Sequence, residues 1–144
     1  MYVRQEKQAI ILKACRSKTD FHFYTDRRRS DMFDLTGRAA LVTGASQGLG
    51  AAIARCLAEA GADIAVNFVS QKSEEKAEQV AESIRAMGRK AIVIRADVSS
   101  EAEVKAMIET VDKSFGRLDI LCNNAGVNSN HTIDDMTLED WQRV

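Results

Sequence analysis

The chain has 144 residues, 45% of them hydrophobic and 28% charged, with a formal net charge of −1. That length supports one domain with a real core and not two. The balanced charge calls for neither nucleic acid nor an anionic membrane as partner, and no apolar run approaches the roughly 20 residues that span a bilayer.

Residues 1–31 differ in character from the rest of the chain. Charged residues alternate with isolated apolar ones, and a basic run, Arg27-Arg28-Arg29, stands near the end. Ala9 to Leu12 is too short for a signal-peptide core, and Glu6, Asp20, Asp26 and Asp31 speak against a transit peptide. The stretch is expected to be a disordered, solvated extension, with Met32 the suspected native start and the cytoplasm the expected location. Three cysteines, Cys15, Cys56 and Cys122, stand without CxxC spacing. This argues against a disulfide framework or a zinc site and for free thiols in a reducing compartment.

The first regular element is the apolar run Ala39 to Val42, which reads as a buried strand. A glycine-rich turn comes next, Thr43-Gly44-Ala45-Ser46-Gln47-Gly48-Leu49-Gly50, and then a helix with Ile53 and Leu57 one turn apart. Strand, glycine turn and helix in that order make a phosphate cradle, because glycines let the backbone approach an anion and the helix start points N–H groups at it. Ser46 and Gln47 could add side-chain hydrogen bonds there.

Gly61 is a predicted helix stop, and Ala62 to Phe68 a second strand. Ala77, Val80, Ala81, Ile84 and Met87 keep helical spacing up to Gly88. Ala91 to Ala96 is a third strand closing on Asp97-Val98, and Ser100 with Glu103 suggests a capping box. Val104, Met107, Ile108, Val111 and Phe115 share one helical face before Gly116. Leu118 to Cys122 reads as a fourth strand, leading into Asn123-Asn124-Ala125-Gly126, and Thr137 with Asp140 as a last helix start. Strands alternating with helices at this spacing imply an α/β fold with a parallel sheet.

Several strand ends carry candidate chemistry. An acidic residue at the end of the second strand would hold an adenosine ribose and repel a 2′-phosphate. Here Asn67 or Phe68 holds that place, with Ser70 and Lys72 just beyond, which favours NADP, with NAD the alternative. Asp97 could accept a hydrogen bond from adenine, or it could simply precede a helix. The Asn-Asn-Ala-Gly run leaves room for a flat ring or a sugar, or it could be a simple turn.

Thr43-Gly44-x-x-x-Gly48-x-Gly50, then Asp97-Val98, then Asn123-Asn124-Ala125-Gly126 resembles the short-chain dehydrogenase/reductase family over about Met32 to Val144. Within it, the Ala-Val-Asn strand and the Asp-Met-Thr-Leu-Glu-Asp-Trp stretch are similar to 3-oxoacyl-carrier-protein reductases and glucose 1-dehydrogenases. The resemblance implies a Rossmann-type doubly wound parallel sheet, with about four strands present, and hydride transfer between a nicotinamide and an alcohol or ketone. By position, Gly44, Ser46, Gly48, Leu49 and Gly50 would line the phosphate end. Asp97 and Val98 would hold the adenine, and Asn124, Ala125 and Gly126 would flank the ribose beside the nicotinamide. The family's catalytic Asn, Ser and Tyr-x-x-x-Lys have no counterpart here. Tyr2 and Tyr24 stand in the extension with no lysine four residues later, and His22 and His131 are in the arm and a polar loop. The chain is therefore expected to be the cofactor-binding part of a longer protein, inactive alone, with no metal site. The complete protein is expected to be a homo-oligomer. Stopping at Leu118 to Cys122 would leave an apolar edge strand prone to self-association.

Overall fold

The computed structural model describes residues 33–127, 132 and 134–143. The extension, Met32, His22 and His131 lie outside the described residues. Four strands, β1 (Ala39–Val42), β2 (Asp63–Phe68), β3 (Ala91–Arg95) and β4 (Ile120–Cys122), form one parallel sheet in the order β3-β2-β1-β4. Between them run α1 (Gly48–Glu59), a single 3₁₀ turn (Gln71–Ser73) leading into α2 (Glu74–Ala86), and α3 (Glu101–Phe115). A short α4 (Leu138–Arg143) comes after the loop beyond β4.

The strand order explains which face each helix covers. The chain steps outward from β1 to β3 and then returns across the sheet to β4. Crossovers of one hand must therefore place α1 and α2 on one face and α3 on the other. Ala40, Val42, Ile64, Val66 and Phe68 pack against Ala51, Ala54 and Ala58 of α1 and Ala77, Val80, Ala81 and Ile84 of α2. Leu41, Ala65 and Ile94 point the opposite way, onto Met107 and Val111 of α3. Strands buried on both faces read as continuous apolar runs, which is why the first three were recognisable. Alanines on the buried stripe of α1 let that helix sit close to the sheet, so its start stays close to the end of β1.

The boundaries differ slightly from expectation. The first helix begins at Gly48, inside the glycine turn. The fourth strand begins at Ile120 rather than Leu118. Before it, the Asp119 carboxylate accepts the Ala39 N–H at 2.9 Å while the Asp119 N–H donates to the Ala39 carbonyl at 2.9 Å. A side chain thus stands in for one rung of the ladder. Only half of the predicted capping box forms at α3: Ser100 Oγ accepts from the Glu103 N–H, but the Glu103 carboxylate reaches the Asp97 N–H instead of the Ser100 N–H. At α4, Thr137 and Asp140 do exchange hydrogen bonds, the Thr137 N–H and hydroxyl both donating to Asp140 Oδ2.

The cysteines need a correction. Cys122 is a free thiol, raised above its ordinary pKa by burial, but Cys56 is disulfide-bonded.

Asp119 also accepts from Arg117 at 2.6 and 2.7 Å and from Arg38 at 3.0 Å. The Arg117 hydrogen bond first, and the Ala39 N–H second, hold its carboxyl well below the usual range. A depressed folded value means a stabilisation that is complete above the unfolded value, about 3.9, and lost as pH falls through the folded one. Unfolding midpoints of the natural protein and of Asp119→Asn should therefore differ by a constant amount from neutral pH down to about 5. The gap should then close steadily below about pH 4. A gap independent of pH would exclude the carboxylate as its source.

Candidate functional site

The return of the chain across the sheet leaves β1 and β4 as neighbours whose outgoing loops diverge, with Val42 paired to Cys122. In sheets of this kind a crevice opens at the carboxyl ends of those two strands, where the connection changes direction. The glycine turn leaves one side of it and Asn123–Gly126 the other.

Thr43 joins the two. Its side chain is buried, and Oγ1 donates to the Cys122 carbonyl at 3.2 Å while accepting the Asn124 and Ala125 N–H groups at 2.9 Å each. That uses the hydroxyl's one donor and both acceptor positions. Asn124 answers from the other side, its Nδ2 donating to the Thr43 carbonyl at 2.8 Å and to the Gly44 carbonyl at 3.3 Å. The amide nitrogen of Asn124 therefore serves the floor of the crevice.

The glycines divide by role. A Cβ on Gly50 would lie 2.5 Å from Asn124 Nδ2 and 2.6 Å from the Gly44 carbonyl, so α1 could not enter this close with any side chain there. A Cβ on Gly44 would lie 3.0 Å from Ala125 Cα, and the residue has φ +62°. Gly48 has φ +59° but faces open space, with nothing within 4 Å of its missing Cβ. Behind that space stands the start of α1. Its N-cap residue, Gln47, makes no side-chain cap, and its first turn carries no acidic residue. By contrast α2 opens with Glu74 and Glu75, and α3 with a Ser100 cap, Glu101 and Glu103. The partial positive charge of a helix start is thus complemented by acidic side chains at α2 and α3 and by none at α1.

Asn67 corrects an expectation. It is 1% exposed and turned inward. Its Oδ1 accepts the Gly44 N–H at 3.2 Å, and its Nδ2 donates to the carbonyls of Phe68, Ile94 and Ala96. The Asn67 carbonyl also accepts the Ala45 N–H at 2.8 Å. The residue braces the glycine turn from behind and has no polar group left for a ribose. Beyond β2, Ser70, Gln71, Lys72 and Arg95 line an open depression of about 640 Å³. Arg95 is steadied there by a 3.2 Å hydrogen bond to the Val69 carbonyl.

At the end of β3, Asp97 Oδ1 accepts from the Ser99 N–H and hydroxyl, which hold its carboxyl below the ordinary carboxylate value. Its neighbour Val98 is 44% exposed on the carboxyl edge. Ser46 is half-buried, Gln47 and Leu49 are exposed on the turn, and Ala125 and Gly126 are exposed on the opposite side. Among the described residues, no three His, Cys, Asp or Glu side chains come together as a metal site, and no helix is long and apolar enough to cross a membrane. Two participants escaped sequence reasoning. Lys76 donates to Gln47 Oε1 at 2.9 Å, a contact that depends on where α2 starts. The bracing role of Asn67 had a usable signal, since a neutral amide inside a doubly buried strand must find backbone partners.

Comparison with known proteins agrees with this geometry. The family model for short chain dehydrogenase matches residues 38–144. Versicolorin reductase 1 of Aspergillus parasiticus is 50% identical over 116 residues, covering 80% of this chain and 43% of that protein. A 3-oxoacyl-[acyl-carrier-protein] reductase of Staphylococcus aureus is 47% identical over 107 residues, covering 74% and 43%. The crystal structure of a short chain dehydrogenase from Burkholderia cenocepacia in complex with NADP superposes with a TM-score of 0.69 at 48% identity, covering 74% and 42%. The chain thus spans less than half the length of these relatives.

Replacing Thr43 by valine keeps the shape of the side chain but leaves the Asn124 and Ala125 N–H groups without their acceptor. The variant should lose about 1–3 kcal/mol of stability, read as a lower urea midpoint, and Thr43→Ser should restore most of it. A Thr43→Val variant as stable as the natural protein would exclude the hydroxyl's hydrogen bonds as what holds the two loops together.

Proposed function

This chain belongs to the short-chain dehydrogenase/reductase family, and on that premise we propose that it binds NADP and serves hydride transfer between the nicotinamide and a small-molecule alcohol or ketone. The observation that carries the reading is the start of α1: uncapped, without acidic residues, and facing open space across Gly48. A pyrophosphate would fill that space without displacing any side chain. Gly44, Ser46, Gln47, Gly48, Leu49 and Gly50 would hold it. Asp97 and Val98 would take the adenine, and Asn124, Ala125 and Gly126 the ribose next to the nicotinamide. The brace from Asn67 would keep the turn in shape without touching the cofactor.

NADP is chosen over NAD because no acidic residue stands at the end of β2, while Ser70, Lys72 and Arg95 line the depression beyond it. The NADP complex of the relative from Burkholderia cenocepacia supports the same choice. When bound, the nicotinamide supplies or takes up the hydride. The residues around the crevice bind and orient it. Residues 25–144 contain no tyrosine, so in this reading their part is cofactor binding rather than proton transfer. Residues 32–144 are the dinucleotide-binding portion and residues 1–31 an added arm. A cytoplasmic location and an assembly of identical chains complete the proposal.

The test is a fluorescence titration of the natural protein with NADPH and NADH, alongside consumption of NADPH in the presence of a panel of ketones. Saturable binding is expected, with NADPH at least about tenfold tighter, a difference of about 1.4 kcal/mol. Gly48→Val should abolish it, since that side chain would occupy the anion's place and the φ of Gly48 would be strained. Binding without turnover would leave dinucleotide binding alone as the function, and binding of neither dinucleotide would overturn the reading.

A further inference from the structure

We propose that Asn67 is a positioning residue that sets the distance between the glycine turn and the Asp97-Val98 edge, so that one covalently linked ligand engages both at once. This rests on the dinucleotide reading above. It holds for NADP and NAD alike, since both contain an adenosine joined to a pyrophosphate.

Two loops are tied to this one side chain. Toward β1, Asn67 Oδ1 accepts the Gly44 N–H at 3.2 Å, and the Asn67 carbonyl accepts the Ala45 N–H at 2.8 Å. Toward β3, Nδ2 donates to the Ala96 carbonyl at 3.0 Å and to the Ile94 carbonyl at 3.3 Å. Gly44 opens the glycine turn, and Ala96 is the residue directly before Asp97-Val98. Because β2 lies between β1 and β3, a side chain near its carboxyl end reaches both neighbours. At 1% exposure it is shielded from water, which would otherwise compete for the same groups.

The residue type carries the argument further. A primary amide has an acceptor on one atom and two donors on the other, and here they serve opposite strands. Leucine, of similar volume, would offer neither, and a carboxylate would lack the donors. The ladder itself pairs Asn67 with Ile94 and ends at Phe68 with Arg95. The side chain carries that register one residue further, to Ala96, and across to the turn. The other anchors near these loops do not do this. Glu103 holds the Asp97 N–H at 2.8 Å but ties it to α3, and Asn124 reaches the Gly44 carbonyl from the β4 side.

A ligand whose two parts are joined needs both surfaces at a matched separation. A preset separation makes the second contact intramolecular, at high effective concentration, and a drifting one lowers that concentration without changing either contact. The contribution of Asn67 therefore shows in the linked ligand and not in its halves.

The experiment measures equilibrium binding of adenosine, inorganic pyrophosphate and adenosine 5′-diphosphate to the natural protein, Asn67→Leu and Asn67→Ser. The product of the dissociation constants of the two halves, divided by that of the diphosphate, is the effective concentration. In the natural protein it should exceed about 10 mM, above the range of a loose tether. A value at the millimolar level overturns the proposal whatever the variants do. In each variant that keeps a cooperative circular dichroism melt, the effective concentration should fall by about tenfold or more, with each half weakened by less than about threefold. NADPH and NADH should weaken in step with the diphosphate, their ratio unchanged. Equal weakening of all three ligands, or an unchanged effective concentration, overturns the coupling and leaves Asn67 a support of the turn alone. Failure of the diphosphate and both dinucleotides to bind the natural protein overturns the underlying reading instead.

Discussion

The carboxyl edge of the sheet depends on one hydroxyl. Thr43 Oγ1 makes three hydrogen bonds across the seam between β1 and β4, to Cys122 and to the N–H groups of Asn124 and Ala125. Those loops leave strands that come from distant parts of the sequence and are joined by only three ladder positions. Without the hydroxyl, the loops would have to satisfy the same backbone groups with water, which does not define their spacing. With it, the gap between Gly44 and Ala125 is too narrow for a side chain, and that narrowness defines the crevice.

Asn67 plays the corresponding part on the other flank. It fixes the glycine turn to the ends of β2 and β3 through bonds to Gly44, Ile94 and Ala96. The turn is thus held from both sides by side chains that never reach the open space in front of it. A phosphate site made of backbone N–H groups needs such support, because its geometry resides in main-chain torsions rather than in side-chain positions. Charge is then arranged around the rigid frame. The acidic residues that complement the starts of α2 and α3 are missing from α1, and basic groups gather past the end of β2.

The fold was largely legible because its signals are local. Ala39 to Val42, Asp63 to Phe68 and Ala91 to Arg95 are apolar runs of strand length, and the apolar stripes of α2 and α3 keep helical phase. The strand order needed more than the sequence pattern, since a return across the sheet after β3 is a matter of packing. In the site, the glycine turn and the Asn-Asn-Ala-Gly run were legible as motifs and stand at adjacent strand ends. Asn67 was misread for a physical reason. A polar residue ending a strand looks available to a ligand, and only the carbonyls of β3 reveal that its amide is already used. Lys76 was invisible for a similar reason, since its reach depends on the single 3₁₀ turn that sets where α2 begins.

Frame and rim can vary separately. Thr43 and Asn67 hold backbone groups of other elements by hydrogen bonds of about 3.3 Å or less, and a Cβ at Gly44 or Gly50 would press on neighbouring atoms, so changing any of them disturbs the frame itself. Gln47, Lys72, Lys76 and Arg95 sit at its rim, on exposed positions where substitution costs little stability. If the site holds a dinucleotide as proposed, the cradle could persist while its preference shifts through rim charges alone. In the proposed reading, the backbone donors would act on a group that both dinucleotides share, and the rim on the one phosphate that separates them. Affinity and discrimination would then fall to different residues, on opposite sides of the boundary between buried and exposed.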